Sequence, residues 1–255
     1  MFSIARRQEI LDALKTKGSV NILELALHYG VGKETIRRDL KALALDFNIS
    51  IVYGGAYLKS HSSPIVEETI LKKREANIEA KLAIARVAAD LIQPGDVIAL
   101  NSGSTMECIL HYLEEKAPLS IVTANINIAA RASVIAGMEV YIPAGKVRGK
   151  SGMVLTPISH DYLKNFSVDK CFFGVSAINL DHQITHPSIE EVENNRILLS
   201  IAEQVFMVAD HSKFDKKSLY KLADIKEMTA IVTDKPLPEE YQAYCKTHDV
   251  QIFIP

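Results

Sequence analysis

Residues 30–47, GVGKETIRRDLKALALDF, contain a short glycine-bearing turn followed by a segment that is apolar on one helical face and basic on the other. The apolar residues recur at the spacing of a buried helical stripe, at Ile36, Leu40 and Leu43. The basic side chains fall on the opposite face, at Lys33, Arg37, Arg38 and Lys41. This pattern predicts an amphipathic helix with an exposed basic surface.

Two further helices are predicted before this segment. The stretch SIARRQEILDALKTKG (residues 3–18) has one apolar helical face and ends at a glycine. The stretch NILELALHYG (residues 21–30) starts at Asn21, the expected N-cap, and stops at Gly30. The apolar stripe predicted for this second helix consists of Leu23, Ala26 and Leu27.

A small hairpin is predicted after the third helix, because ISIVYGGAYL (residues 49–58) has two strand-like runs around paired glycines. Three short helices, a tight turn and a hairpin form a winged helix-turn-helix over residues 1–58, with the motif at about 20–39. The third helix would enter the major groove, where arginine pairs with guanine or binds phosphate. The residues predicted to contact operator DNA are Lys33, Glu34, Thr35, Arg37, Arg38, Lys41 and Tyr53. The alternative is a three-helix cap with a solvated basic face, but the turn and the hairpin favour DNA binding.

The composition is that of a globular protein, because 48% of the 255 residues are hydrophobic and 24% are charged. The net charge is -2, yet residues 1–58 carry eight Lys or Arg against six Asp or Glu, which permits nucleic-acid binding. The three cysteines are far apart and form no CxxC pair, so we expect no metal site, disulfide or cofactor. Neither a signal peptide nor a spanning segment is evident, so we expect a cytoplasmic protein with no membrane partner.

The segments RRQEILDALKTKGSV and ELALHYGVGKETIRRDLKAL resemble the N-terminal region of the DeoR family of bacterial transcription regulators, and TIRRDL is the most specific part. The family usually has serine where Gly32 stands, so the N-cap of the third helix is weaker here. The family hairpin usually carries Arg-x-His before its paired glycines, whereas Ser50 and Tyr53 occupy those positions. We therefore expect a neutral hydrogen bond from Tyr53 in place of a basic contact to the DNA backbone.

A polar linker is predicted at residues 59–76, and strands alternate with helices along residues 77–255. Asn77 is the expected cap of the first helix in this second domain. Apolar runs without polar alternation are typical of buried parallel strands, and they are VIAL (97–100), SIVT (120–123), EVYI (139–142), KCFFGV (170–175), VFMVA (205–209) and AIVT (230–233). The pattern predicts an α/β domain with a doubly wound, largely parallel sheet, completed by a C-terminal helix and strand.

Ligands of such sheets bind at the carboxyl ends of the strands, so the loops after the strands define the predicted site. The loop NSGST (residues 101–105) combines small residues and hydroxyls with the start of a helix, whose free amides favour an anion. The residues predicted to bind the effector are Lys81, Asn101, Ser102, Gly103, Ser104, Thr105, Asn125, Gly145, Lys146, His186 and Lys213. Each loop alone is also compatible with an ordinary strand-to-helix connection, and His186 with a loop cap, but their convergence at one sheet edge favours a phosphate site.

The run AKLAIARVAADLIQPGDVIALNSGST, followed by IVTAN, AGK and ADHSKF, resembles the C-terminal sensor domain of the same family. That resemblance implies a fold similar to ribose-5-phosphate isomerase, in which the loop matching Gly103, Ser104 and Thr105 binds substrate phosphate. It also implies a regulator, most often a repressor of a sugar-utilisation operon, that binds a phosphorylated sugar or a related metabolite.

Two functions are compatible with a phosphate site: a repressor that responds to a phosphorylated sugar, or a sugar-phosphate isomerase-like enzyme carrying a DNA-binding appendage. An isomerase needs a positioned base. The strand at residues 170–175 leads into Ser176, Ala177 and Asn179, which offer none, and SIEEVENNR (188–196) is expected to form a solvated helical face. The regulatory function is therefore favoured. A single winged helix contacts little DNA, so a homodimer or tetramer is expected.

Overall fold

The chain divides into two compact units, Met1–Ser63 and Pro64–Pro255. The computed structural model describes residues 3–17, 19–47, 49–52, 55–58, 70–149, 151–155 and 157–255. In these ranges no helix is both long enough and apolar enough to cross a membrane.

The first unit is a three-helix domain with a small antiparallel sheet. Its elements are α1 (Ser3–Lys17), β1 (Ser19–Asn21), α2 (Ile22–Tyr29), α3 (Lys33–Asp46), β2 (Ile49–Val52) and β3 (Gly55–Leu58). The predicted hairpin is β2 and β3, and β1 adds a third strand on the outer side of β3 that the sequence did not predict. Ile10, Leu14, Ile36 and Leu40 are fully buried between the helices. The buried face predicted for the third helix is therefore confirmed.

The ends of α2 follow the predicted capping chemistry. The side chain of Asn21 accepts hydrogen bonds from the backbone amides of Leu23 at 2.8 Å and Glu24 at 3.4 Å. Gly30 ends the helix in the left-handed conformation with φ 62°, which glycine adopts without steric cost. Gly32 precedes α3 and provides no side-chain cap.

The buried face of α2 differs from the predicted one. Ile22 and Ala26 are buried, whereas Leu23 is 50% exposed and Leu27 is 75% exposed. Because Asn21 is the cap, the helix begins at Ile22, and the stripe four residues apart runs through Ile22 and Ala26. The prediction for Leu23 and Leu27 was therefore wrong by one helical position.

The second unit alternates strands and helices. Its elements are α4 (Ile70–Glu75), α5 (Ile78–Asp90), β4 (Val97–Leu100), α6 (Ser104–Ile109), β5 (Leu119–Val122), α7 (Ile126–Ala132), β6 (Met138–Tyr141), β7 (Lys146–Arg148), β8 (Met153–Leu155), α8 (Pro157–Leu163), β9 (Val168–Gly174), β10 (Ala177–Ile178), β11 (Gln183–His186), α9 (Ile189–Ser200), β12 (Ala202–Val208), β13 (Tyr220–Asp224), β14 (Ala230–Val232), α10 (Glu239–Thr247) and β15 (Gln251–Phe253). Helix α4 lies within residues 59–76, the range that the sequence assigned to the linker. Residues 59–69 of that range fall outside the described residues.

Seven strands form a parallel sheet in the order β15-β14-β12-β9-β4-β5-β6, which confirms the predicted doubly wound architecture. Adjacent residues of β9 point to opposite faces, so that Phe172 and Phe173 belong to two separate buried clusters. Helices α5, α6 and α7 contribute to the Phe172 cluster, and α8, α9 and α10 contribute to the Phe173 cluster.

The order of the strands creates a switch point. From β4 the chain continues outward through β5 and β6, and from β9 it continues in the other direction through β12, β14 and β15. The connections that follow β4 and β9 therefore diverge to opposite sides and leave a crevice at the carboxyl ends of these two strands.

Two small antiparallel elements were not predicted. Strands β7 and β8 form a hairpin, and β10, β11 and β13 form a separate three-stranded sheet. Each of these strands has two to five residues and several lie in polar sequence, so neither length nor periodicity marks them.

Candidate functional site

The ends of β4 and β9 are joined by one side chain. Asn101, which follows β4, donates from Nδ2 to the carbonyl of Gly174 at 2.9 Å. Its Oδ1 accepts from the amide of Gly174, also at 2.9 Å. Asn101 is buried, so both hydrogen bonds are protected from water. This predicted effector residue therefore fixes the switch point, and the cleft opens beside it.

A cleft of about 280 Å³ lies at this switch point. It is lined by Lys73, Ala76, Asn77, Lys81, Ser102, Gly103, Ser104, Thr105, Gly174, Val175, Ser176, Pro187, Val208, Asp210, Ser212, Lys213 and Lys216. Six of the predicted effector residues are among them, namely Lys81, Ser102, Gly103, Ser104, Thr105 and Lys213. The size is at the lower end of small-molecule sites.

The loop after β4 supplies one wall of the cleft. Gly103 has φ 122°, a conformation that side chains rarely adopt, and a Cβ placed there would meet no atom within 4 Å. Helix α6 starts at Ser104 with Gly103 as its N-cap, and Gly103 has no side chain to cap the first turn. Backbone amides at such a helix start bind anions, since both the free N–H groups and the helix dipole favour negative charge.

Lys81 also lines the cleft. It is buried on α5, and its ammonium group donates to the backbone carbonyls of Lys73 and Ala76. Burial lowers the pKa of Lys81, and the nearby charge of Lys213 lowers it further. Lys81 therefore ties the end of α4 to α5 while adding positive charge to the cleft.

Asp210, immediately before a short 3-10 turn at His211–Lys213, contributes a carboxylate that the sequence analysis did not select. Its Oδ1 accepts from the amide of Ser212 at 2.9 Å and from the side chain of Asn77 at 3.2 Å. Burial alone would raise the pKa of Asp210, but these hydrogen bonds and the charge of Lys213 together hold it below its usual value. The buried Oδ2 has no hydrogen-bond partner among the described residues. Asp210 is thus an ionised acceptor in the lining of the cleft.

Asn77 does not act as the predicted helix cap. It precedes α5 in the left-handed conformation with φ 52°, and its side chain makes no capping hydrogen bond. In that conformation the side chain is directed to Asp210 instead. The prediction that Asn77 caps the helix was therefore wrong, and the residue belongs to the lining of the cleft.

Four other predicted effector residues lie outside the described lining of the cleft. Asn125 caps α7 and donates to the carbonyl of Ser151 at 2.8 Å, which docks the β7–β8 hairpin. Gly145 and Lys146 are exposed at the start of that hairpin. The Nδ1 atom of His186 accepts from the amide of Ser188 at 3.1 Å, so this ring caps its loop.

Glu191 is the functional candidate that sequence reasoning missed. The acidic stretch 188–196 was expected to form a solvated face, yet Glu191 is buried in the first turn of α9. Its Oε1 accepts from Arg148 at 2.9 Å, and its Oε2 accepts from the hydroxyl of Ser102 at 3.4 Å. The missed signal is position: Glu191 stands three residues after the N-cap Ser188, where an acidic side chain turns back toward the start of the helix. Glu191 connects the cleft loop to the β7–β8 hairpin.

Helix α4 is fastened to α6 by an ion pair. Arg74 donates from Nε and Nη2 to both carboxylate oxygens of Glu107, at 2.6 and 2.9 Å. Glu107 is buried, and Arg131 approaches it at 3.6 Å. A two-point pair of this kind fixes orientation as well as distance, so the helix that starts at the cleft loop is held to the segment that precedes α5.

The exposed face of α3 carries most of the predicted DNA contacts. Lys33, Glu34, Arg38 and Lys41 are exposed, and Thr35 is half-buried. Arg37 is half-buried and forms an ion pair with Glu34 one turn earlier. Tyr53, the remaining predicted contact, lies outside the described residues.

The same helix contains a buried carboxylate that the sequence analysis did not single out. Asp39 accepts from Arg6 at 2.6 Å and from Arg7 at 2.8 Å, and the side chains of Asp39 and Arg6 are both buried. Burial alone would raise the pKa of Asp39, but the two guanidinium groups hold it below its usual value. The aspartate of TIRRDL thus fixes α3 to α1, and its place between Ile36 and Leu43 on the inward face was the available signal.

Comparison with known proteins covers both units. Residues 6–62 match a DeoR-like helix-turn-helix domain, and residues 76–235, more than half of the chain, match the DeoR C terminal sensor domain. The glycerol-3-phosphate regulon repressor of Escherichia coli (strain K12) is 30% identical over 97% of this chain and 97% of its own length. The L-fucose operon activator of Haemophilus influenzae is 29% identical over 98% of this chain and 99% of its own.

Among solved structures, ribose 5-phosphate isomerase A from Methanocaldococcus jannaschii aligns with a TM-score of 0.41 and 18% identity, over 55% of each chain. The two family matches and the full-length similarity to the regulators agree with the winged helix and the parallel sheet described above. The chain therefore belongs to the DeoR family of DNA-binding transcriptional regulators.

Proposed function

We propose that this regulator represses a sugar-utilisation operon, and that a phosphorylated sugar bound in the cleft weakens its hold on operator DNA. The observation that carries the proposal is the cleft at the switch point, where an uncapped helix start meets several lysines. Amides and ammonium groups of this kind recognise a phosphate. Asp210 lines the same cleft, and its carboxylate would accept a hydrogen bond from a sugar hydroxyl.

The relatives support a regulatory function, but they include both a repressor and an activator. One is named as the repressor of a glycerol-3-phosphate regulon and another as the activator of an L-fucose operon. Both names concern the use of small polyols or sugars. Repression is proposed here because release of DNA by an inducer is the direct way for a ligand to switch such an operon on.

The phosphate is proposed to be a signal and not a substrate. Among the described lining residues, Asp210 is the one carboxylate. Its pKa is held below the usual value, and its Oδ1 is occupied by Ser212 and Asn77. A general base for isomerisation works best with a pKa raised toward neutrality, so Asp210 is poorly suited to remove a carbon-bound proton. The buried Glu191 is paired with Arg148 and lies outside the described lining of the cleft.

The operator is proposed to be bound by a homodimer or tetramer. One α3 helix presents a handful of base contacts, and specific sites in a genome require more. Two copies reading two half-sites would supply them. Sedimentation of the full-length protein, with and without an operator fragment, gives the stoichiometry directly.

The test combines three measurements on the full-length protein. Calorimetry with a panel of sugar phosphates identifies the ligand, and fluorescence anisotropy with an operator fragment selected from random DNA reports the change in DNA affinity. Chromatography of the ligand after incubation reports turnover. We expect one ligand to bind, to weaken operator binding at least about tenfold, as typical coupling free energies allow, and to be recovered unchanged. Conversion of the ligand, or operator binding that no bound ligand alters, would contradict the proposal.

A further inference from the structure

The C-terminal end of α4 is held at the edge of the cleft by Lys81. The buried ammonium group of Lys81, on α5, donates to the backbone carbonyls of Lys73 and Ala76. The last carbonyls of a helix have no partner within the helix, so these hydrogen bonds cap the end of α4. Lys73, Ala76 and Lys81 all line the cleft. A ligand in the cleft therefore meets the group that holds α4.

Helix α4 is too short to be stable by itself. It spans six residues, Ile70–Glu75, whereas isolated helices shorter than roughly 12–15 residues are marginal in water. Its position therefore depends on contacts with the rest of the second unit. Besides the contact with Lys81, Arg74 forms the two-point ion pair with Glu107, whose own backbone amide donates to the carbonyl of Gly103 at 3.1 Å. Both fastenings of α4 thus lead to residues at the cleft or one turn from it.

A phosphate bound beside Lys81 would strengthen its hold on α4. Burial lowers the pKa of Lys81, because the charged ammonium is partly removed from water, and an anion in the cleft stabilises the charged form. An ammonium group has three N–H donors, so it can hold two carbonyls and a phosphate oxygen together. A ligand shifts a conformational equilibrium through such differential interactions. The phosphate therefore favours the arrangement in which α4 is attached.

Helix α4 is also the first described element of the second unit. The boundary between the two units falls at Ser63 and Pro64, and α4 begins at Ile70. The chain that leaves the DNA-binding unit therefore passes through α4 before it reaches α5 and the cleft. A change in the attachment of α4 acts directly on the segment that connects the two units.

We propose that effector binding locks α4 in place through Lys81, and that the attached α4 lowers the affinity of the DNA-binding unit for its operator. The inference rests on the proposed function and names the element that carries its regulation. Arg74, which lies outside the described lining of the cleft, is then a positioning residue for α4.

Hydrogen exchange of the full-length protein tests the first step, with inorganic phosphate as the probe at constant ionic strength. Amides in peptides covering residues 70–76 should exchange about tenfold more slowly when phosphate is bound, as a charged hydrogen bond allows. Amides of α10, outside the described lining, should be unchanged. Unchanged exchange at residues 70–76, while calorimetry shows bound phosphate, would overturn the inference and leave the proposed function standing. Failure of phosphate to bind would contradict the phosphate site, and with it both proposals.

Operator binding tests the second step, by fluorescence anisotropy with and without phosphate at the same ionic strength. Phosphate should weaken operator binding by the wild type at least about fivefold, and in Arg74→Gln this factor should fall below about twofold. The Kd of phosphate should stay within about threefold, because the substitution lies outside the described lining of the cleft. Arg86→Gln is the matched control, since Arg86 is an exposed arginine of α5.

A second variant guards against misfolding. Arg74→Lys keeps a positive charge beside the buried Glu107 but breaks the two-point pair, and it is measured if circular dichroism shows Arg74→Gln unfolded. It should respond to phosphate more weakly than wild type. A full phosphate response in the folded Arg74 variant, or an equal loss in Arg86→Gln, would reject α4 as the route. Operator binding by the wild type that phosphate leaves unchanged, with α4 protected, would overturn the second step.

Discussion

The surface predicted to contact DNA and the cleft proposed to bind the effector are assembled in different ways. Helix α3 presents its predicted contacts from one continuous segment, so their exposure follows from the period of a single helix. The cleft draws its lining from α4, α5, the β4–α6 loop and the β12–β13 connection. Those segments meet because β4 and β9 are neighbours in the sheet. A surface on one helix can be located from sequence spacing, whereas a cleft between segments depends on strand order.

The largest effect is expected where α3 itself depends on a distant segment. Asp39→Ala leaves the buried Arg6 without its counter-charge, and breaking a buried ion pair costs roughly 3–5 kcal/mol of stability. Thermal unfolding of the first unit, followed by circular dichroism, should shift strongly downward. Wild-type stability in this variant would show that the apolar face alone holds α3 in place. The position of α3 would then not depend on its ion pair with α1.

The Asp39 carboxylate also predicts a pH dependence. Its pKa in the folded protein lies below the unfolded value, so its contribution is present above the unfolded pKa of about 3.9. The contribution is lost as the pH falls through the folded pKa. The difference in unfolding free energy between wild type and Asp39→Ala should therefore shrink on acidification below about pH 4.

The second largest effect is expected from Gly103→Asp, which should weaken effector binding in the cleft without weakening operator binding by the first unit. Gly103→Asp places a side chain at φ 122° and a negative charge beside the proposed phosphate, so affinity for the phosphorylated effector should fall more than about a hundredfold. Operator binding without effector should remain, because the first unit has its own core. Gly95→Asp, also at positive φ and with an open Cβ direction but outside the lining, is the matched control. Undiminished effector affinity in Gly103→Asp would show that the loop after β4 connects the strand to α6 and does not bind the phosphate.

Substitutions on α3 should have the opposite pattern, weakening operator binding without changing effector binding. Replacing Arg38 with alanine should weaken operator binding by about 1–3 kcal/mol if the guanidinium contacts a base. The Arg37 variant should lose less, since that side chain is half-buried and already paired with Glu34. Effector binding should be unchanged in both variants. Anisotropy with operator and with random DNA separates base contacts from phosphate contacts, since the latter weaken both equally.

The smallest effect concerns the two helix starts in the DNA-binding unit. Asn21→Ala removes the side-chain cap of α2 and should cost about 1 kcal/mol. Gly32→Ser should stabilise α3 by a few tenths of a kcal/mol, since Gly32 has φ -68° and ψ 152°, suitable for a capping serine, and its Cβ direction is open. Chemical denaturation gives the change in the free energy of unfolding for each of the two variants. If Gly32→Ser lowered the stability, the serine would not be acting as an N-cap of α3, and this prediction would be contradicted.

What could be predicted from the sequence follows the same division. The seven parallel strands and the inward face of α3 follow from local periodicity, and both are confirmed. Asn101 was identified from its loop, but its hydrogen bonds to Gly174 require knowing that β4 and β9 are adjacent. Asp210 follows a correctly placed strand, yet its partner Asn77 is far away in sequence. Glu191 lies in an acidic run in which Glu190 and Glu193 are exposed, and its pairing with Arg148 on an unpredicted hairpin explains its burial.

The glycine before α3 has a consequence for how the protein meets DNA. Gly32 gives the first turn of α3 no side-chain cap, so an outside acceptor can bind the amides at that end. A phosphodiester oxygen of the DNA backbone is such an acceptor, and it would complete the helix in the way that Asn21 completes α2. The N-terminus of α3 would then be capped by the DNA that the helix binds. Amide exchange at Lys33 and Glu34 should slow on the operator more than exchange in the middle of the helix.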